Sequence, residues 1–155
     1  MGFRVTGLDD AAFRHLYGLP NRDLEGLGAI RFVADAKPGF PCRVSLRDAE
    51  PGETLLLLNF RHQPAATPYQ ASHAIFVIEG AASSRPAPGE VPDMLARREL
   101  AVRAFDADHL MTDAVLTPGV DAASALRRLL ADERNRYLQV HNPVRGCFLA
   151  RVERA

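Results

Sequence analysis

Residues 136–153 read "RYLQVHNPVRGCFLARVE", and how this stretch folds back decides the architecture. Tyr137, Leu138 and Val140 precede a run containing Asn142, Pro143 and Gly146, and Phe148, Leu149, Ala150 and Val152 follow it. Two apolar stretches divided by turn residues predict an antiparallel hairpin. With a five-residue loop, Asn142 to Gly146, His141 faces Cys147, Val140 faces Phe148 and Leu138 faces Ala150. Gln139 then pairs with Leu149, and Tyr137 with Arg151, on the opposite face. The first face is mostly apolar and belongs to a core, whereas the second is mixed and suits the wall of a cleft. Opposed residues have Cβ atoms about 4.5–5.5 Å apart, so this register brings thiol and imidazole into contact.

Working outward, "FRVTGL" (3–8), "AIRFVADA" (29–36), "CRVSLRDA" (42–49), "LAVRAFD" (100–106) and "MTDAVLT" (111–117) also read as strands. In the third of these, Cys42, Val44 and Leu46 share one face, and Arg43, Ser45 and Arg47 share the other. "ETLLLLNFRH" (53–62) and "HAIFVIEG" (73–80) are apolar at consecutive positions, as in neighbouring central strands covered on both faces. "DAASALRRLLADER" (121–134) is the clearest helix, with Asp121 as N-cap and Ala122, Ala125, Leu126, Leu129 and Leu130 on one stripe. A second helix is expected in "DDAAFRHLYGLP" (9–20), and a turn or two in "PDMLARR" (92–98). Eight or nine strands and two main helices predict an α+β fold, with a mostly antiparallel sheet curled toward a barrel. "AASSRPAPGEVP" (81–92) lacks apolar periodicity and reads as an exposed, flexible connection inside a single domain spanning 1–155.

The 155 residues carry 19 basic and 19 acidic side chains. A net charge of zero provides no long-range field toward nucleic acid or an anionic membrane. Lys37 is the sole lysine, a bias toward Arg spread along the whole chain. "MGFRVTGLDD" has no basic region followed by an apolar run, and the longest apolar run is Leu55 to Leu58. A cytoplasmic protein is therefore expected, with two cysteines as thiols rather than a bridge.

Four ordered blocks carry a resemblance: "PGFPCRVSL", "LLLLN", "HQPAATPYQASHAIFV" and "VHNPVRGCFLARV". Together they resemble a bacterial family known only as a domain of unknown function. The resemblance implies a free-standing bacterial protein of about this length. It implies no activity, cofactor or catalytic residue.

Chemistry must then come from two clusters. In "VHNPVRGC", Cys147 is a candidate nucleophile, His141 its base and Asn142 an orienting group. The plainer alternative is a hairpin whose Cys fills space and whose His bonds backbone. In "NFRHQPAATPYQASH", His62 and His73 bracket a stiff loop containing Tyr69, and they approach each other if its ends meet. Their spacing matches no zinc signature, and no cofactor motif occurs anywhere in the chain, so no metal ligand is assigned. Arg43 is a candidate anion ligand, because a guanidinium forks carboxylate or phosphate with two parallel bonds. On an alternating strand it is otherwise part of a solvated face. Three functional readings remain open. The first is a small-molecule or anion site at the sheet end built on Arg43, His62, Tyr69 and His73, with His141. The others are a cysteine-nucleophile enzyme and an interaction module without chemistry. Binding ranks first because it needs the fewest coincidences.

Overall fold

A computed structural model describes residues 2–155. Its strands, in chain order, are β1 (Phe3–Thr6), β2 (Ile30–Val33), β3 (Thr54–Gln63), β4 (Ala71–Ile78), β5 (Glu99–Phe105), β6 (Met111–Pro118), β7 (Tyr137–His141) and β8 (Phe148–Arg154). They form a five-stranded sheet in the order β1-β8-β7-β5-β6 and a three-stranded sheet in the order β2-β3-β4. Every pairing is antiparallel. The architecture is α+β and dominated by sheet. It is not a barrel, because the strands split into two open sheets instead of one closed ring.

Only one of the two expected main helices forms at length. Helix α3 (Ala122–Ala131) buries Ala122, Ala125, Leu126, Leu129 and Leu130, the predicted stripe. Asp121 precedes it but makes no side-chain capping bond. Helix α1 (Asn21–Gly26) and helix α2 (Asp93–Ala96) are short. The stretch after Asp9 folds as two 3-10 turns, Asp10–Ala12 and Arg14–Leu16, with the Asp9 carboxylate accepting from the Ala11 N–H at 2.9 Å. Phe13 and Leu16 are buried in different apolar clusters, and the backbone turns between them at Phe13 instead of continuing a helix.

The largest cluster lies between α3 and the five-stranded sheet, where Leu126 and Leu130 meet Val102, Leu138 and Val140. A second packs Phe13, Cys42 and Val44 against Leu55, Ile75 and Val77. A third sets Leu56 against Leu16 and Leu24. Leu55 and Leu56 are thus buried on opposite faces of β3, as the apolar run predicts. That burial does not extend down the strand. Leu57 and Leu58 are half-buried, and Asn59 and Arg61 are exposed. Strands β3 and β4 are neighbours, with β3 central in the smaller sheet and β4 at its edge.

"CRVSLRDA" is not a strand. Leu46 N–H donates to the Cys42 carbonyl at 3.0 Å and Cys42 N–H to the Arg47 carbonyl at 2.9 Å, closing a tight excursion. Leu46 sits at φ 57°, a left-handed conformation that costs a branched residue about 1–2 kcal/mol. Burial of its side chain in the α3 cluster offsets that cost. The alternation in sequence therefore reflects a turn inserted into the core, and Arg43 is buried rather than solvated.

Leu55→Ala should cost about 2–5 kcal/mol, and Leu57→Ala clearly less, because Leu57 already borders open space. Urea midpoints of the two variants check this order. We also expect a broad-specificity protease to cut first between Arg85 and Pro88. Flanking positions are held by Ser84 N–H donating to the Val44 carbonyl and Gly89 N–H donating to the Phe3 carbonyl. First cleavage within residues 63–72 would reverse the expected order.

Candidate functional site

Arg43 is 2% exposed. Its backbone N–H donates to the Phe76 carbonyl on β4 at 3.2 Å. Its Nε donates to the Phe148 carbonyl on β8 at 2.7 Å, and its Nη1 to the Pro41 carbonyl at 2.7 Å. One residue thereby ties the small sheet to the large one. Burial lowers the guanidinium pKa from 12.5 to about 10, so it remains charged at neutral pH. Cys147, Arg98 and Cys42 are its ionisable neighbours. Among the described residues no carboxylate pairs with it. A buried charge without a counter-charge is costly.

The hairpin that carries Cys147 has a different register from the one expected. Leu138 pairs with Val152, Gln139 with Arg151 and Val140 with Ala150, after which a bulge sets His141 opposite Phe148. The bulge breaks the simple alternation and takes Cys147 out of the ladder. Asn142 N–H donates to the Cys147 carbonyl at 2.8 Å, and Gly146 N–H to the Asn142 carbonyl at 2.8 Å. Gly146 lies at φ 80°, where a side chain is strained. The Asn142 side-chain oxygen accepts from the Val144 N–H at 3.1 Å, so this residue shapes the loop.

A cavity of about 390 Å³ opens between this loop, β4 and the Arg43 turn. Arg43, His73, Arg98, Asn142, Arg145 and Cys147 supply its polar wall, and no acidic residue lines it. Arg98 is neutralised from behind by a fork onto Asp48, with Nη2–Oδ1 at 2.6 Å and Nη1–Oδ2 at 3.0 Å. Among the described residues Arg43 and Arg145 have no such partner. The His73 ring contacts two carbonyl oxygens, those of Ala74 at 2.8 Å and Arg145 at 3.0 Å. The Arg145 contact fixes the hairpin loop over the cavity mouth.

His62 and His141 belong to a separate polar seam. The Gln139 Oε1 atom lies 3.0 Å from His62 Nδ1 and 3.0 Å from His141 Nε2, and Gln139 Nε2 donates to the His62 carbonyl at 2.9 Å. His141 Nδ1 faces the Gly146 carbonyl at 2.9 Å. His62 stacks on Phe148 with centroids 5.7 Å apart and meets His141 edge-on at 4.9 Å. Burial pushes the His141 pKa down to about 3, and the nearby Arg103 charge acts the same way. Burial also lowers His62. The neutral His141 ring carries one N–H, so only one of its two contacts is an N–H···O bond in any tautomer.

The site residues read from sequence therefore divide. Arg43, His73, Asn142 and Cys147 line one cavity. His141 is fully buried and makes no hydrogen bond to Cys147; its ring nitrogens face Gly146 and Gln139. Tyr69 is 40% exposed and packs edge-on to Phe105, outside the cavity. Among the described residues no three His, Cys, Asp or Glu converge as a metal ion would require. Sequence reading missed Arg98 and Arg145, and Gln139, which organises the histidines. No local motif marks them: Arg98 and Gln139 acquire partners from distant segments, and Arg145 reaches the cavity only through the fold of its loop.

A protein family described as "Protein of unknown function (DUF1203)" matches residues 39–154. The chain belongs to this family. The matched span holds every residue that lines the cavity, together with both histidines of the seam. It leaves out β1, α1 and β2. No curated protein and no solved structure matches the chain. No helix among the described residues is long and apolar enough to cross a membrane.

The depressed His141 pKa makes stability depend on pH. As pH falls below 6.5 the unfolded chain takes up a proton that the folded chain refuses until about pH 3. This stabilisation is complete above pH 6.5 and is lost on acidification. Between pH 6.5 and 5, above the range where the carboxylates titrate, the loss should be about 1–2 kcal/mol. His141→Asn, which keeps a donor toward the Gly146 carbonyl, should flatten that slope in urea melts.

Proposed function

We propose that this protein binds a small organic anion, a carboxylate or a phosphate, in the cavity between the hairpin loop and the Arg43 turn. The observation that supports the reading is the buried Arg43 cation. Two of its nitrogens are used by backbone carbonyls, while Nη2 has no oxygen acceptor among the described residues. Among the described residues no acid lines this cavity, and a guanidinium there suits an anionic oxygen. Arg145 supplies a second cation at the mouth, and Asn142 and His73 add polar walls. The apolar side, with Leu57 and Phe76, suits the carbon skeleton of a metabolite rather than a bare inorganic ion. Two free cysteines agree with a reducing, cytoplasmic setting.

Calorimetric titration with inorganic phosphate and with small mono- and dicarboxylates tests the reading. Saturable binding that weakens with salt is expected. Arg145→Ala should reduce affinity by about tenfold, the loss of one charge-assisted bond. Arg22→Ala, on an exposed face of α1, should leave it unchanged. Absence of saturable binding by every one of these anions would remove the proposal.

A further inference from the structure

Resting on that reading of the cavity, we infer that Cys147 is a nucleophile toward a small organic anion that carries an electrophilic carbon. Cys147 lines the cavity and retains 8% of its surface, whereas Cys42 is fully buried. The Cys42 sulfur is further occupied by the N–H groups of Ile78 at 3.1 Å and Ser45 at 3.4 Å. The two thiols therefore differ in access, and only Cys147 faces a space large enough for a ligand. The second, independent feature is Arg43. It is 2% exposed and lines the same cavity.

The arrangement places the sulfur and the proposed anion ligands in one cavity. A ligand whose charged end rests on Arg43 or Arg145 lies beside the sulfur, so the charge chooses the ligand and proximity drives the reaction. The cysteine sulfur is the nucleophilic atom. In the step itself a sulfur–carbon bond forms. The bond from that carbon to its leaving group breaks, the leaving group departs with the bonding pair, and the thiol proton passes to water. No change of oxidation partner is needed. His141 has no part in this step, because its nitrogens are turned to Gly146 and Gln139.

The probes are iodoacetate and iodoacetamide, which deliver the same carbon with and without a carboxylate and release iodide. Rates at Cys147 and Cys42 are separated by peptide mass spectrometry, on the whole folded chain and on the chain unfolded in urea at equal ionic strength. A cleft of one charge sign concentrates an anion by about tenfold or more. The iodoacetate-to-iodoacetamide rate ratio at Cys147 should rise by about that factor on folding. It should fall back in Arg145→Ala, fall further in Arg145→Glu, and drop when inorganic phosphate is added. Cys42 should be unreactive in the folded chain. Equal ratios in folded and unfolded chains, or no labelling of folded Cys147 by either reagent, overturn the inference. If phosphate still binds in the calorimeter, only the nucleophile falls. If phosphate and carboxylates fail to bind as well, the anion site falls with it.

Discussion

A buried guanidinium organises this molecule. Arg43 donates to a carbonyl on β8 and to one in its own turn, and its backbone donates to β4. The two sheets share no strand, so side-chain contacts relate them, these bonds together with the packing of Phe60 and His62 on Phe148. Hydrogen bonds from a charged donor are each worth about 1.5–3 kcal/mol, more than a neutral pair supplies. They are also directional, which an apolar interface between two sheets is not. The carbonyls of Pro41 and Phe148 fix where the turn lies on β8, and the cavity is the space left beside that attachment.

The opposite part of the seam is polar as well. His62 and Gln63, at the end of β3, reach Gln139 and Tyr137 on β7, and Tyr137 in turn meets His109 at 2.7 Å. The apolar residues meanwhile gather in three clusters rather than one. Each cluster holds its own layer, and polar bridges set one layer against another. Removing one member of such a bridge leaves its partner unsatisfied inside the protein, so these positions tolerate little change.

The sequence was most legible where a segment settles its own structure. The Leu126–Leu130 stripe, the β7–β8 hairpin and the β5 and β6 strands follow from local periodicity and turn residues, and all are present. It was least legible where distant segments decide. The "CRVSLRDA" alternation looks like a strand, but Cys42, Val44 and Leu46 are claimed by two clusters, so the backbone bends between them. The hairpin was found but its register was not, because the bulge beside His141 has no signature distinct from a regular turn. Four of the six polar residues of the candidate site were visible in the sequence. Arg43, His73, Asn142 and Cys147 were named and do share a cavity. Arg98 and Arg145 were not, because an arginine on its own carries no sign of where its charge will point.

The division of labour within Arg43 bears on how this family will respond to mutation. Two nitrogens of the side chain serve the fold, and the residue also lines the cavity. On the proposed reading a single codon encodes both assembly and recognition, and selection cannot adjust one without the other. Damage at this position will register as lost protein in the cell before any change in recognition can be seen. A mutational screen scored by abundance would mark Arg43 as structural, while the same screen would pass over Arg145, whose exposed side chain is free to vary. If the cavity binds an anion as proposed, divergence among relatives is expected to accumulate on its loop side, with the buried side held constant.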